Sequence, residues 1–293
     1  MATLSQWIDG ARPRTLPAAV SPILVGAGAA YQTGNIVWGY ALLALVVAVA
    51  LQVGVNYAND YSDGIRGTDE ERVGPVRLVG QRLADPSEVK LAAYASFFFA
   101  ALCGLALIGL SGLWIMLPIG VLAILAAWFY TGGSRPYGYL GLGEVFVFVF
   151  FGLVATLGTM ATMTPPTPAG WWGAIGVGAL ASAILVANNL RDIPTDRHNG
   201  KLTLAVRLGD RGTRWFYLGL VAVAFVMTGL ASLTSPFALL ALLAAPLLLR
   251  PVQAIASGQH GRALIPALSG TGVFELAWSA LLALGLALGH HLG

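Results

Sequence analysis

The chain has 293 residues, 57% of them hydrophobic and only 10% charged, with a mean hydropathy of +0.76. Water-soluble domains carry roughly a quarter charged residues, so this composition excludes one and defines a protein dissolved in lipid. The net charge of +3 and the pI near 9.2 come without a nucleic-acid recognition motif, and no nucleic acid is expected as partner.

Arg12 and Arg14 precede the first apolar stretch in the manner of a signal peptide. The stretch runs on too far for that, so an uncleaved first helix is expected. Residues 15–59, 91–134, 145–190 and 215–249 carry no acidic or basic side chain. One bilayer crossing needs about 20 apolar residues, so each run is about two crossings long. Turn signals interrupt each run near its middle: "YQTGN" at 31–35, "LSG" at 110–112, "TPPTPAG" at 164–170 and "TSP" at 234–236. Each run therefore reads as a helical hairpin. Long runs of Leu, Ala and Val argue for helices, since membrane strands alternate over about ten residues.

A hairpin leaves and returns on one face, so the segments between hairpins must all lie on the same side. Every Lys and Arg is in those segments and none is in the four tips. The positive-inside rule makes that side cytoplasmic, with the protein in the cell (plasma) membrane. A last apolar stretch at 269–292 adds a ninth crossing and puts the C-terminus outside. The expected fold is thus an all-α integral membrane protein forming one domain over 1–293. It has about nine transmembrane helices, as two four-helix halves (14–130 and 141–250) plus a final helix, with the N-terminus cytoplasmic. The run 215–249 is short for two spans, which leaves eight crossings as the alternative. The single cysteine, Cys103, excludes an intrachain disulfide.

Each half has one long polar segment after its second helix: "NYANDYSDGIRGTDEERVGPVRLVG" at 56–80 and "NNLRDIPTDRHNGKLTLAVRLG" at 188–209. Asn56, Asp60 and Asp63 are spaced four and three apart, and Asn188, Asp192 and Asp196 four and four apart. Each set shares a face if its helix extends that far. Pro194 would kink or end the second helix. Carboxylate and amide oxygens converging from two helix ends suit Mg²⁺, which is commonly held by a few carboxylates and by phosphate oxygens. Arg14, Arg72, Arg77, Arg135, Lys201 and Arg207 lie on the same side, where they can bind phosphate oxygens. The competing reading gives the acids to solvent or to Arg66, Arg72 and Arg77, and the cations to topology and anionic lipid.

"NDYSD" followed by Asp69, with "DIPTD" in the second half, resembles the paired aspartate motifs of the UbiA superfamily of intramembrane prenyltransferases. "ARPRTLPAAVSPILVG" at 11–26, "YTGGSRPYGYLGLGEVFVFVFFG" at 130–152 and the two polar segments are similar to the 1,4-dihydroxy-2-naphthoate polyprenyltransferases. The resemblance implies Mg²⁺-dependent transfer of a polyprenyl group from polyprenyl diphosphate to 1,4-dihydroxy-2-naphthoate. Pyrophosphate and CO₂ leave, and demethylmenaquinone forms. It implies Asn56, Asp60, Asp63, Asp192 and Asp196 as metal and diphosphate ligands, with Asn59 and Asp69 as second choices. The longer gap from Asp63 to Asp69 departs from the wider superfamily. Tyr130, Tyr137 and Tyr139 line the aromatic acceptor's entry or belong to the interfacial aromatic belt.

Glu144 suits the start of the fifth helix, near the positive end of its dipole. Glu275, in a helix beginning near 269, is expected to be barely submerged. Gly173, Gly176 and Gly178 fit close helix packing. Two rivals remain: a prenyltransferase for another acceptor, such as 4-hydroxybenzoate, and a secondary transporter. A transporter would concentrate charges and helix breaks near the bilayer midplane.

Overall fold

The computed structural model describes residues 2–67 and 76–290, so Asp69 and Arg72 lie outside the described residues. Among these the chain is helix and turn, with no strand. A short helix α1 (Leu4–Gly10) opens on a capping box, Thr3 and Gln6 each bonding the other's backbone. There follow α2 (Leu16–Gln32), α3 (Trp38–Ile65), α4 (Pro86–Ser111) and α5 (Met116–Phe129). Next, α6 (Gly143–Val147) passes through a π-helical stretch, Phe148–Val154, into α7 (Ala155–Ala161). The chain ends with α8 (Pro168–His198), α9 (Leu204–Ala231), a 3-10 segment (Pro236–Leu248) leading into α10 (Leu249–Ala256), and α11 (Ile265–Gly289).

All four expected breaks separate helices. Gly112 closes α4 in the left-handed conformation (φ 70°), which costs a glycine little. Among the described residues, seven helical spans are long and apolar enough to cross a membrane. Besides the short α1, two helices lie outside these spans: α2, with 17 residues, where the first crossing is expected, and α5, with 14, where the fourth is expected. The protein is a multi-pass membrane protein, and its outward Phe98, Leu102, Trp114, Leu122 and Trp215 belong in lipid.

Side-chain contacts sort the chain ends of the helices onto two faces. The Tyr40 hydroxyl donates to Leu110 O at 2.7 Å, and the Gln32 amide to Thr234 O at 3.0 Å. Val37 N meets Met163 Sδ at 3.2 Å. The four tips thus gather together, and His290 joins them through Gln32 O at 3.2 Å. At the other face Asn56 bonds Ala11 O, Thr131 bonds Asn59, and Lys201 meets Asp63. The charged segments therefore share one face, as the hairpin reading requires.

The most enclosed helix is α8, which sits against α9, α11, α2 and the α6–α7 stretch. Its small residues make that possible: a Cβ on Gly152 would fall 2.5 Å from the Gly178 Cα, so the two backbones nearly touch there. Gly173 and Gly176 likewise receive Val25 and Trp278, in keeping with a packing role. Gly28 abuts Ala283 and Gly272 meets Pro17, so α2 and α11 run parallel.

Two expectations need correction. The second motif's helix neither stops nor breaks at Pro194: α8 continues through it to His198. The last turns of α8 carry so many polar residues that they lie outside the hydrocarbon, where a missing backbone bond is made good by water. The last helix starts at Ile265 rather than near 269, and Glu275 lies ten residues inside it, about 15 Å along the axis. It is fully buried, not barely submerged.

Candidate active site at the charged mouth

Helix length delivers the polar motifs to the membrane boundary. At about 1.5 Å per residue, α3 and α8 measure about 42 and 46 Å, longer than a hydrocarbon core of about 30 Å. Their C-terminal turns, with Asn59, Asp60 and Asp63 on one and Asp192 and Asp196 on the other, therefore reach the polar edge.

At the mouth, Asp63 joins the first polar segment to the second. Its Oδ1 accepts from the Tyr139 hydroxyl at 2.6 Å and from Lys201 Nζ at 3.4 Å. Lys201 also lies over the Tyr139 ring, 4.5 Å from its centre, a cation–π contact that holds the ammonium in place. Backbone bonds fix the arrangement: Lys201 N donates to Asp196 O, turning the chain back after α8, and Leu202 N donates to Tyr139 O. Beside it, Asn59 Oδ1 accepts from Thr131, while Arg66 spans Thr131 O and Gly133 O and lies over Tyr139.

Asp60 and Asn56 face elsewhere. Both Asp60 oxygens accept backbone N–H groups, Leu78 at 2.7 Å and Val79 at 3.1 Å, and Arg12 lies close enough to act on it electrostatically. Asp60 thereby ties down the loop after the first motif. The Asn56 amide donates to Ala11 O and Thr15 Oγ1, and Gln52 also donates to Thr15, pinning the segment between α1 and α2. Helical spacing alone had grouped Asn56, Asp60 and Asp63. The tertiary contacts leave Asn59 and Asp63 at the junction and turn the other two to their own loops.

On α8, Asp192 is held by a two-point bond from Arg191 at 2.6 and 2.7 Å, and Arg191 also donates to Asn188 Oδ1. Asp196 is buried one turn further on. Lys201 and Arg77 are buried cations, while Arg14, Arg135 and Arg207 are exposed. Of the three tyrosines, Tyr139 bonds Asp63. Tyr137 stacks on Phe146 at 4.0 Å and donates to Ala126 O, and burial pushes its hydroxyl far above the usual phenol range, so it stays a donor. Tyr130 packs edge-on against Tyr137.

Sequence reading missed Gln52, Thr15, Thr131, Arg191 and Asn189. None carries a motif of its own, although Arg191 and Asn189 stand inside the second polar segment. Glu144, read as a helix-start acid, is buried and accepts from the Asn189 amide at 2.9 Å. An open apolar groove of about 560 Å³ runs between α3 and α4, lined by Leu45, Val46, Val49, Ala50, Val53 and Phe99 among others. It ends one turn below Asn56.

The donor set consists of carboxylate and amide oxygens, the chemistry of Mg²⁺ rather than of zinc or copper. Among the described residues no three His, Cys, Asp or Glu side chains converge closely enough to hold an ion alone. A cation that keeps its waters and shares phosphate oxygens needs only one or two carboxylates, and Asp63, Asp192 and Asp196 fit that requirement better than Asp60.

Many apolar helices, with two acidic helix ends and buried cations meeting at one mouth, define a polytopic membrane protein built to handle an anionic head on an apolar tail. The chain belongs to the UbiA prenyltransferase family, whose sequence pattern matches residues 19–264. It is 55% identical to the 1,4-dihydroxy-2-naphthoate octaprenyltransferase of Mycobacterium tuberculosis, over 99% of each chain. The fold is similar to the apo structure of a UbiA homolog from Aeropyrum pernix K1, with a TM-score of 0.69 at 15% identity, covering 92% of this chain and 97% of that one. It is also similar to a UbiA homolog from Archaeoglobus fulgidus bound to DMAPP and Mg²⁺, with a TM-score of 0.64 at 15% identity, covering 94% and 99%.

Proposed function

We propose that the protein transfers a polyprenyl group from its diphosphate to 1,4-dihydroxy-2-naphthoate in a Mg²⁺-dependent reaction, with release of pyrophosphate and CO₂ and formation of demethylmenaquinone. One observation carries the reading: the full-length, 55% identical relative bears the name of that activity. The residues at the mouth supply the chemistry it needs.

An allylic diphosphate ionises when its leaving group is neutralised. Asp63, Asp192 and Asp196, with the Asn59 amide, would hold Mg²⁺, which supplies positive charge against the developing pyrophosphate. Lys201 and Arg77, buried cations that follow the two motifs and are not committed to Asp192 as Arg191 is, bind the phosphate oxygens. Tyr139 orients both Asp63 and Lys201 and so keeps an acid and a base side by side without collapse. The allyl cation is attacked by the electron-rich naphthol ring. The isoprenoid tail requires an apolar bed, and the groove between α3 and α4 supports one leading away from the polar end.

The chain works as one prenyltransferase unit of two four-helix halves and a last helix, in the plasma membrane with its mouth toward the cytoplasm. The distribution of all Lys and Arg on the mouth side supports this orientation.

The test is turnover by purified protein given polyprenyl diphosphates, Mg²⁺ and a panel of dihydroxynaphthoate, 4-hydroxybenzoate and glycerol phosphate, with product masses determined. Prenylated, decarboxylated naphthoate is expected. A product from another acceptor alone would overturn the substrate, and absence of pyrophosphate release in every mixture would overturn the reaction.

A further inference from the structure

A buried carboxylate in this site has no assigned part in binding diphosphate. Glu144 is 4% exposed, at the start of α6. One carboxyl oxygen, Oε1, accepts from the Asn189 amide at 2.9 Å. The other, Oε2, is buried with no hydrogen-bond partner. Leaving a buried carboxylate oxygen unbonded is costly, and proteins keep such groups where something else completes them.

The surroundings say what would complete it. The Glu144 carbonyl accepts from Ser182 at 3.2 Å, so α6 lies along α8 from Ser182 to Asn189. At 100° per residue, Ser182, Asn189 and Asp196 fall within about 40° of one another and Asp192 about 40° beyond them, so all four form one stripe. Glu144 therefore sits on the face of α8 that carries the second aspartate motif, about 5–10 Å deeper along the axis than Asp192 and Asp196. The segment before it contains Tyr139, which bonds Asp63 of the first motif. The acid thus stands behind both halves of the mouth on the apolar side, where an aromatic ring would rest when the diphosphate occupies the polar side.

The ionisable groups packed against α6 are Tyr130, whose ring and hydroxyl lie against Gly143, Tyr137 and Tyr139 of the preceding turn, and Arg191, Asp192, Asp196, Arg197 and His198 on α8. The hydroxyl of Tyr137 is spent on Ala126 O, that of Tyr139 on Asp63, and Arg191 is spent on Asp192. Of the carboxylates around α6, Glu144 has an oxygen with no hydrogen bond.

We propose that Glu144 is a catalytic residue that accepts the hydroxyl proton of the aromatic acceptor, with Asn189 positioning its carboxylate. This rests on the prenyl-transfer reading above. As the acceptor O–H bond breaks, the proton passes to Oε2 and the oxygen's electron pair moves into the ring. The allylic C–O bond breaks with its electron pair leaving on pyrophosphate, and the ring carbon that bears the carboxylate bonds the resulting allyl cation. CO₂ then leaves that carbon, its electron pair restores the aromatic ring and the oxyanion, and the oxygen recovers its proton from the neutral acid.

The test compares wild type, Glu144→Gln, Glu144→Asp and Asn189→Ala by transfer to dihydroxynaphthoate, by the pH dependence of kcat, and by binding of a prenyl diphosphate in the absence of acceptor. Glu144→Gln is expected to lose about 10²–10⁴-fold in kcat. Its prenyl diphosphate affinity should stay within about twofold, and the acidic limb of the kcat profile should disappear. Glu144→Asp should recover part of the rate. Equal kcat and an unchanged pH profile in Glu144→Gln would overturn the assignment while leaving prenyl transfer intact. A wild type that prenylates no aromatic would overturn the underlying reading instead. If Glu144→Gln fails to fold, Asn189→Ala decides: lower kcat with a displaced acidic limb supports the proposal, and a wild-type profile rejects it.

Discussion

The ammonium of Lys201 lies 3.4 Å from a carboxylate oxygen of Asp63, joining residues 138 positions apart and so tying one half of the chain to the other. Both side chains are nearly inaccessible. Removing one partner of such a pair withdraws a compensating charge from the other, and breaking a buried pair costs about 3–5 kcal/mol. Lys201→Met should therefore lower the melting temperature in detergent and weaken prenyl diphosphate binding at least about tenfold. Adding Asp63→Asn should restore much of the stability but none of the activity. Additive losses in this double-mutant cycle would deny the coupling.

Asp60 and Asp63 should differ in kind. Asp60 spends both oxygens on Leu78 N and Val79 N, so Asp60→Asn should cost about 1–3 kcal/mol of stability and reduce turnover without moving the Mg²⁺ concentration for half-activity. Asp63→Asn should raise that concentration. Chelating Mg²⁺ should stop wild-type turnover, and adding it back should restore it. A Mg²⁺ titration that shifts for Asp60→Asn would reinstate Asp60 as a ligand.

Close packing at the centre gives a sharper contrast between two glycines. A methyl on Gly152 would lie 2.5 Å from the Gly178 Cα, whereas one on Gly120 would meet nothing within 4 Å. Gly152→Ala should destabilise by about 1–3 kcal/mol, because neither backbone can yield without moving its helix. Gly120→Ala should be neutral or slightly stabilising. Thermal melting of the two variants side by side is sufficient, and equal melting points would refute the close approach.

Glu275 is fully buried, and neither of its carboxyl oxygens has a hydrogen-bond partner. Glu275→Gln, of nearly the same shape but never charged, should match or exceed wild type in melting temperature and retain turnover. Glu275→Lys should fail to fold, since its charge would be stranded among Phe274, Trp278 and Leu282. Loss of turnover in a stable Glu275→Gln would mean that the carboxyl serves the reaction.

Orientation can be read from two cysteines placed in a Cys103→Ser background. Asn35 lies exposed at a tip and Asn199 exposed at the mouth face. A membrane-impermeant thiol reagent added to intact cells should label Asn35→Cys and spare Asn199→Cys. The opposite pattern would reverse the protein in the membrane.

The sequence by itself determined the helices, their hairpin pairing and the single charged face. Hydrocarbon offers no hydrogen bonds, so crossings form as apolar helices, and charge, Glu275 apart, is driven to their ends. The two acidic segments and the family resemblance were equally visible, because carboxylates clustered in so apolar a chain stand out. Which acids face one another was decided only by tertiary structure. Asn56, Asp60 and Asp63 have compatible helical spacing, yet Ala11 and Thr15 claim the first and Leu78 and Val79 the second. Periodicity describes one helix at a time, whereas a side chain's partner is chosen by what the neighbouring segment brings to it. The length of α8 beyond Pro194, the depth of Glu275 and the pairing of Glu144 with Asn189 were fixed in the same way, by packing between residues far apart in the chain.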